Sequence, residues 1–228
     1  IYLTSLGSEA TLNGVTVDGN TARANGGGIR ATGGTNLTLI DTTISNNVAQ
    51  LVRGGGLFLD GAHVIADNVT ITGNSVPGTS GDEEGGGIYA SAQAKLEFNN
   101  STISSNSARD EAGGIYLNNV EADFVNTTVT NNYARLDGGG IYVHSDSTVN
   151  FTDSFITNNT SSVNGGAGAL RDDSVTTFLR TTISGNQAGY NQDRTTVSNA
   201  NRDAGGINMW ERANATFIDS TISSNEAT

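Results

Sequence analysis

The stretch Ile44-Ser45-Asn46-Asn47-Val48-Ala49-Gln50-Leu51-Val52-Arg53-Gly54-Gly55-Gly56-Leu57 decides the fold. It sets an apolar residue before a position taken by Ser, Thr or Asp, an asparagine three residues after that apolar residue, and then a block of glycines ending in an aliphatic. The first half recurs at Val17 to Asn20, Ile71 to Asn74, Ile103 to Asn106, Val129 to Asn132, Ile156 to Asn159, Ile183 to Asn186 and Ile222 to Asn225. Successive asparagines are 27, 27, 32, 26, 27, 27 and 39 residues apart, so the unit is about 27 residues with two insertions. A period of this size marks an architecture in which each unit buries its apolar face only against its neighbours.

Within each unit the apolar residues alternate as strands with one buried face require. Five residues before each repeat Ile or Val stand Leu12, Leu39, Ala66, Phe98, Phe124, Phe151, Phe178 and Phe217, which should point inward. A second strand follows the glycines, as in Gly85-Gly86-Gly87-Ile88 and Gly138-Gly139-Gly140-Ile141, and Ala167-Gly168-Ala169-Leu170 reads as an irregular copy. The pattern predicts an all-β chain: one right-handed parallel β-helix over residues 1–228, about eight coils of roughly 27 residues with three short strands each. Glycine suits the corners, where a Cβ obstructs the backbone, and the recurrent asparagine suits a second corner in left-handed geometry.

Composition narrows the function. The 228 residues hold no cysteine and one proline, and the 30 glycines lack a three-residue period, so disulfide scaffolds and collagens are excluded. With 23 acidic against 11 basic residues the net charge is -12, which repels nucleic acid and anionic lipid. No apolar run is long enough for a membrane-spanning helix, so direct membrane insertion is not expected, and Ile1 opens no signal-peptide pattern.

The succession Ile44 to Asn47, Ala49, then Gly54 to Leu57 resembles the paired motif of polymorphic outer-membrane-protein repeats and of the wider pectin-lyase-like right-handed β-helix surface proteins. Ile or Val stands where Phe is more usual. The resemblance implies an extracellular or cell-surface protein with a structural or adhesive role. The same scaffold also carries lyases and hydrolases, so function has to be argued from the site.

Three faces are candidates. The outward columns of the post-glycine strand read Tyr2, Arg30, Phe58, Tyr89, Tyr116, Tyr142, Arg171, Asn208 and Thr4, Thr32, Asp60, Ser91, Asn118, His144, Asp173, Trp210. Phe58, Tyr89, Tyr116, Tyr142 and Trp210 suit a polysaccharide or the glycan of a host or neighbouring cell, since rings pack on sugar C–H faces. Ordinary cross-strand stacking accounts for the same residues. If the chain is instead a polysaccharide lyase or glycoside hydrolase, His144, Asp173 and Arg171 are the catalytic candidates, with His144 beside Asp173 and Arg171 beside Tyr142. No cofactor is expected beyond calcium, for which Glu84, Glu111 and Asp137, stacked before the glycine corners, are the candidate ligands; Arg109 and Arg135 offer them ion pairs instead. Ranks of Thr and Ser beside the repeat Ile or Val, such as Thr70 and Thr72, resemble an ice-binding face, although Phe155 interrupts them. The insertion from Gln187 to Asp203, with Tyr190, Asp193, Arg194 and Arg202, is placed for recognition. Ile1-Tyr2-Leu3 and Asn225-Glu226-Ala227 match one angular position of the coil, which predicts an excerpt of a longer solenoid or a subunit that stacks end to end.

Overall fold

The computed structural model describes residues 1–79, 81–192 and 203–228. The insertion residues Asp193, Arg194 and Arg202 fall outside the described residues. Four parallel sheets of eight strands wind about one axis for about seven turns, with no helix among the described residues. In a representative coil the strands are Ile115–Asn118, Glu121–Val125, Thr128–Thr130 and Tyr133–Ala134, belonging to what we call sheets A, B, C and D. The coil therefore has four strands where the sequence pattern shows three. The fourth is two residues long, too short to display the period-2 alternation that identifies a strand.

The alternation sorts side chains as anticipated. Leu39, Ala66, Phe98, Phe124, Phe151 and Phe178 are wholly buried in one continuous core that runs the length of the rod. Phe124 stacks on Phe98 at 5.6 Å and on Phe151 at 4.7 Å between ring centroids, and the stack continues to Phe178 and Phe217. Parallel in-register pairing, Phe98 opposite Phe124 opposite Phe151, enforces this. Phe124→Leu keeps the burial but removes two ring contacts and changes the shape. We expect it to cost about 1–2 kcal/mol in chemical denaturation, with unchanged stability counting against the stack.

The recurrent asparagines form a second internal column. Asn132 Nδ2 donates to Ile103 O and to Asn159 Oδ1, while its Oδ1 accepts from the backbone N–H and Nδ2 of Asn106, all at 3.0 Å. The same arrangement runs through Asn47, Asn74, Asn106, Asn159 and Asn186, all essentially buried. The left-handed corner residue is the one before each asparagine, for example Asn131 at φ 55° and Asn158 at φ 55°, which corrects the expectation that the repeat asparagine takes it. Its neighbour turns the chain, and the repeat asparagine points inward to satisfy groups the turn leaves open.

One coil departs from the sequence register. Gly168, Ala169 and Leu170 pair with Ile141, Tyr142 and Val143, so Gly165-Gly166-Ala167-Gly168 is the copy of Gly138-Gly139-Gly140-Ile141. Gly168 stands where an isoleucine is usual, and Ile141 Cγ1 fills the space, since a Cβ on Gly168 would lie 2.5 Å from it. This shifts the outward residues that follow.

Candidate functional site

Sheet A positions the aromatic column. Phe58, Tyr89, Tyr116 and Tyr142 stack face to face at 5.1 to 5.2 Å with interplanar angles of 10° or less. Arg30 continues the stack, its guanidinium 5.5 Å from the Phe58 ring and 4.9 Å from that of Tyr2. The four rings are only 2 to 6% exposed and, with Ala112 and Ala169, form a second apolar cluster against which Trp210 packs. The column points away from the main core, as its alternation requires, yet its faces are spent on neighbouring rings. Half-buried Trp210 is the candidate glycan contact that keeps exposed surface.

Over the tyrosine column lies the acidic one. Backbone N–H groups of Gly85 and Ala112 donate to the carbonyls of Glu111 and Asp137, which stacks Glu84, Glu111 and Asp137 in successive coils. Arg53 closes one end, with Nε donating to Glu84 at 2.7 Å and a second nitrogen to Asp82 at 3.0 Å. At the other end the Asn164 N–H donates to Asp137 at 2.9 Å. Arg109 has no ion-pair partner among the described residues, and Arg135 reaches Asp110 at 3.7 Å rather than Asp137. Among the described residues, no three or more His, Cys, Asp or Glu side chains converge to hold a metal.

The crowding is expressed as protonation. Burial, reinforced by Glu84, Asp110 and Asp137 and opposed by Arg171, pushes the Glu111 carboxyl up to about 7. Burial likewise raises Glu84 against the pull of Arg53, Asp137 against its Asn164 hydrogen bonds, and Asp110. It pushes the Tyr142 hydroxyl up to about 12. The folded chain thus holds these carboxyl protons more tightly than the unfolded chain does. The stability this gives is complete below about pH 4.5 and is lost as pH rises through about 7. We expect the melting temperature to fall from about pH 5 to pH 8, and Glu111→Gln to recover about 1–2 kcal/mol at the upper end, discounted for partial solvent access. A flat profile over that range would contradict the arrangement.

The shifted coil rearranges the catalytic candidates. Arg171, expected in the column of Tyr142, lies in the next one, between His144 and Trp210; Ala169 takes the place beside Tyr142. Arg171 still reaches the Tyr142 hydroxyl, donating at 3.0 Å, and also holds Glu211 at 2.9 Å and packs 5.5 Å from the Trp210 ring. His144 Nε2 meets Asp172 at 2.6 Å, not Asp173, and its Nδ1 contacts the Ser145 hydroxyl. Asp173 instead accepts from Arg212 Nε at 2.7 Å. Asp172 and Asp173 both adopt left-handed backbone, at φ 47° and 58°, in a turn where neither side chain enters the core.

The Thr and Ser ranks of sheet C are in register, Thr70 opposite Thr43 and Thr102, and Thr72 opposite Ser45 and Ser104. Part of their hydrogen-bonding capacity is used along the axis, between Ser104 and Thr72 and between Thr157 and Thr130, each at 3.1 Å.

A feature the sequence does not reveal lies on sheet D. Both insertions follow strands of this sheet, Ser75–Val76 and Gln187–Ala188, and three rungs separate them. Between them are two adjoining concavities of about 350 and 240 Å³, both walled by Tyr133 and Gln192. Pro77, Arg109 and Arg135 line the larger; Asn131, Asn158 and Thr160 line the smaller. The available signals were Tyr133 as the lone aromatic of its column and the placement of both long spacings after the same strand.

Comparison with known families agrees with the geometry. A model described as the right handed beta helix region matches residues 4–154 and 86–228, two overlapping stretches that span nearly the whole chain. No curated protein and no solved structure matches the chain significantly. On this match and the continuous four-sheet solenoid, the chain belongs to the right-handed β-helix family.

Proposed function

We propose that the chain is an extracellular structural and adhesive β-helix, a rigid cell-surface rod of the polymorphic outer-membrane-protein kind that holds glycan without turning it over. The observation that carries this reading is the repetition of the same kinds of buried contact over several successive coils. Phenylalanine, asparagine and tyrosine columns each cross several coils, so the rod resists local opening and presents its outer side chains in axial files at coil spacing. Such a file suits a linear polymer lying along the rod. Immobilised protein should retain glycan-bearing particles or soluble polysaccharide in a flow assay, and failure to retain any glycan would reject the adhesive role.

A polysaccharide lyase or hydrolase is the second reading, favoured by one observation, the Asp172–His144–Ser145 chain of contacts beside Arg171. A histidine oriented by a carboxylate is a competent proton carrier. Glycoside hydrolysis asks for two carboxyl groups facing one bond. Asp173, the nearest second carboxylate in sequence, is engaged by Arg212. New reducing or unsaturated ends that disappear in His144→Ala would favour this reading.

A further inference from the structure

Over the middle of the tyrosine column, at the rung of Glu111 and Tyr116, we infer a seat for a primary ammonium group, the side chain of a lysine presented by a partner protein. The ligand is a cation and not a sugar, so the inference goes beyond the adhesive reading and is decided apart from it.

Two unanswered groups mark the seat. Tyr116 is 6% exposed, and its hydroxyl has no hydrogen-bond partner among the described residues, whereas that of Tyr142 accepts from Arg171 at 3.0 Å. The Tyr116 hydroxyl faces carboxylates, since Glu84 and Glu111 lie close enough to hold its proton on. Glu111 itself is the second group. Arg53 is committed to Glu84 and Asp82, Arg135 to Asp110 and Arg171 to Glu211, while Asp137 accepts from the Asn164 N–H. Of the acidic column, half-buried Glu111 is left with neither ion pair nor side-chain hydrogen bond among the described residues. A buried phenol and a half-buried carboxyl left open side by side call for a donor from outside the chain.

The neighbouring rungs show how the chain holds a cation here. On one side Arg53 lies 5.1 Å from the centre of the Tyr89 ring and pairs with Glu84 at 2.7 Å. On the other, Arg171 joins the Tyr142 hydroxyl to Glu211. The Tyr89 and Tyr142 rings are each one rung from Tyr116, at 5.2 and 5.1 Å between centres, so the gap between the two arginines is short. It suits a compact ammonium, where a third planar guanidinium would crowd the first two. The three N–H donors of an ammonium answer the Glu111 carboxylate and the Tyr116 oxygen together and leave one for water. The single lysine of the chain, Lys95, lies on sheet B and pairs with Glu121 at 2.8 Å, so the ammonium comes from elsewhere.

A lysine within a basic segment suits the seat better than a free amine. Its four-carbon stem carries the charge below the rim while the partner backbone stays outside. Further positive charges on that segment are drawn by the field of a chain with net charge -12, and a small amine gains the local contact alone.

Protonation governs the seat. Burial, reinforced by Glu84, Asp110 and Asp137 and opposed by Arg171, pushes the Glu111 carboxyl up to about 7, and only its ionised form holds a cation. Glu84, Asp110 and Asp137 are themselves raised by burial and ionise in the same direction, while Arg53, Tyr116 and Tyr142 are raised and keep their protons. A lysine, with a pKa of about 10.4, stays charged throughout. Binding therefore tightens as pH rises through 7, with release of the Glu111 proton.

The test is fluorescence titration of the whole chain with a labelled nonapeptide whose three lysines are spaced by glycine and serine, and with its acetylated form. Saturable binding is expected at pH 8, at least about tenfold tighter than that of the acetylated peptide and about tenfold tighter than at pH 6. Glu111→Gln should weaken it about tenfold and remove most of its pH dependence. Tyr116→Phe should weaken it about three- to fivefold and keep that dependence. Both substitutions preserve the shape of the side chain and hence the fold. Glu97→Gln, which removes an exposed carboxylate on sheet B, should leave binding unchanged. No saturable binding up to about 1 mM, equal binding of the acetylated peptide, full binding by Glu111→Gln, or equal weakening by Glu97→Gln would each overturn the inference. Cadaverine binding as tightly as the peptide would overturn the assignment to a protein partner.

Discussion

Asn132→Ala should destabilise the rod by about 4 kcal/mol, counted as two buried polar groups stranded at about 1–3 kcal/mol each and two further buried hydrogen bonds lost at about 0.5–1.5 kcal/mol each. The stranded groups are the Ile103 carbonyl and the Asn106 backbone N–H; Asn106 Nδ2 keeps its bond to the Ile71 carbonyl and Asn159 Oδ1 keeps the backbone N–H of residue 132, each losing one bond. Asn132 is wholly buried, so solvent does not reach them without opening the stack. Asn132→Asp is a sharper companion. Its carboxylate still accepts from Asn106, but it loses the donor to Ile103 and faces Asn159 Oδ1 with an acceptor. Both variants should unfold at markedly lower denaturant than the parent, and a loss under about 1 kcal/mol in Asn132→Ala would mean that the column is incidental.

Gly86→Ala should cost a comparable amount, about 4 kcal/mol or more, through backbone overlap rather than lost bonds. A Cβ there would lie 2.5 Å from the Gly113 carbonyl oxygen and from the carbon and oxygen of the Ser107 carbonyl. These atoms belong to the next coil, and moving them opens the ladder between coils. The glycine before it makes an instructive contrast. Gly85 has φ 66°, but Ala112 and Ala204 occupy the equivalent place at φ 55° and 52°, so the fold admits alanine there. A Cβ on Gly85 would meet the Ile88 carbonyl oxygen at 2.3 Å, but that contact lies within one turn that relaxes to φ 55° at Ala112, so Gly85→Ala should cost only about 1–2 kcal/mol. Within the chain itself the second place is always glycine, at Gly27, Gly55, Gly86, Gly113, Gly139, Gly166 and Gly205. Equal penalties for Gly85→Ala and Gly86→Ala would contradict this account of the corner.

The features that repeat at every coil could be read from the sequence. The inward Phe124 column and the asparagine period follow from side-chain alternation, a local property of an extended chain. Four things depend on the folded chain. The sheet D strand carrying Tyr133 is too short to alternate. The copy at residues 165–170 is ambiguous because Gly165, Gly166, Ala167, Gly168 and Ala169 are all small, so aliphatic Leu170 is mistaken for the start of the strand and Asp173 is aligned with His144 in place of Arg171. Burial of Tyr116 depends on what lies over it, the Ala112 and Glu111 turn, and alternation says which side a residue faces without saying whether that side is covered. The sheet D groove likewise depends on both insertions leaving the rod at one corner, a fact about space rather than spacing.

Binding and turnover are separated by following both in one sample. The chain is incubated with acidic and neutral polysaccharides, and retained glycan is measured alongside reducing and unsaturated ends. Retention with no new ends is the predicted result. Ends that accumulate with time and vanish in His144→Ala or Asp172→Ala would show that the rod is an enzyme.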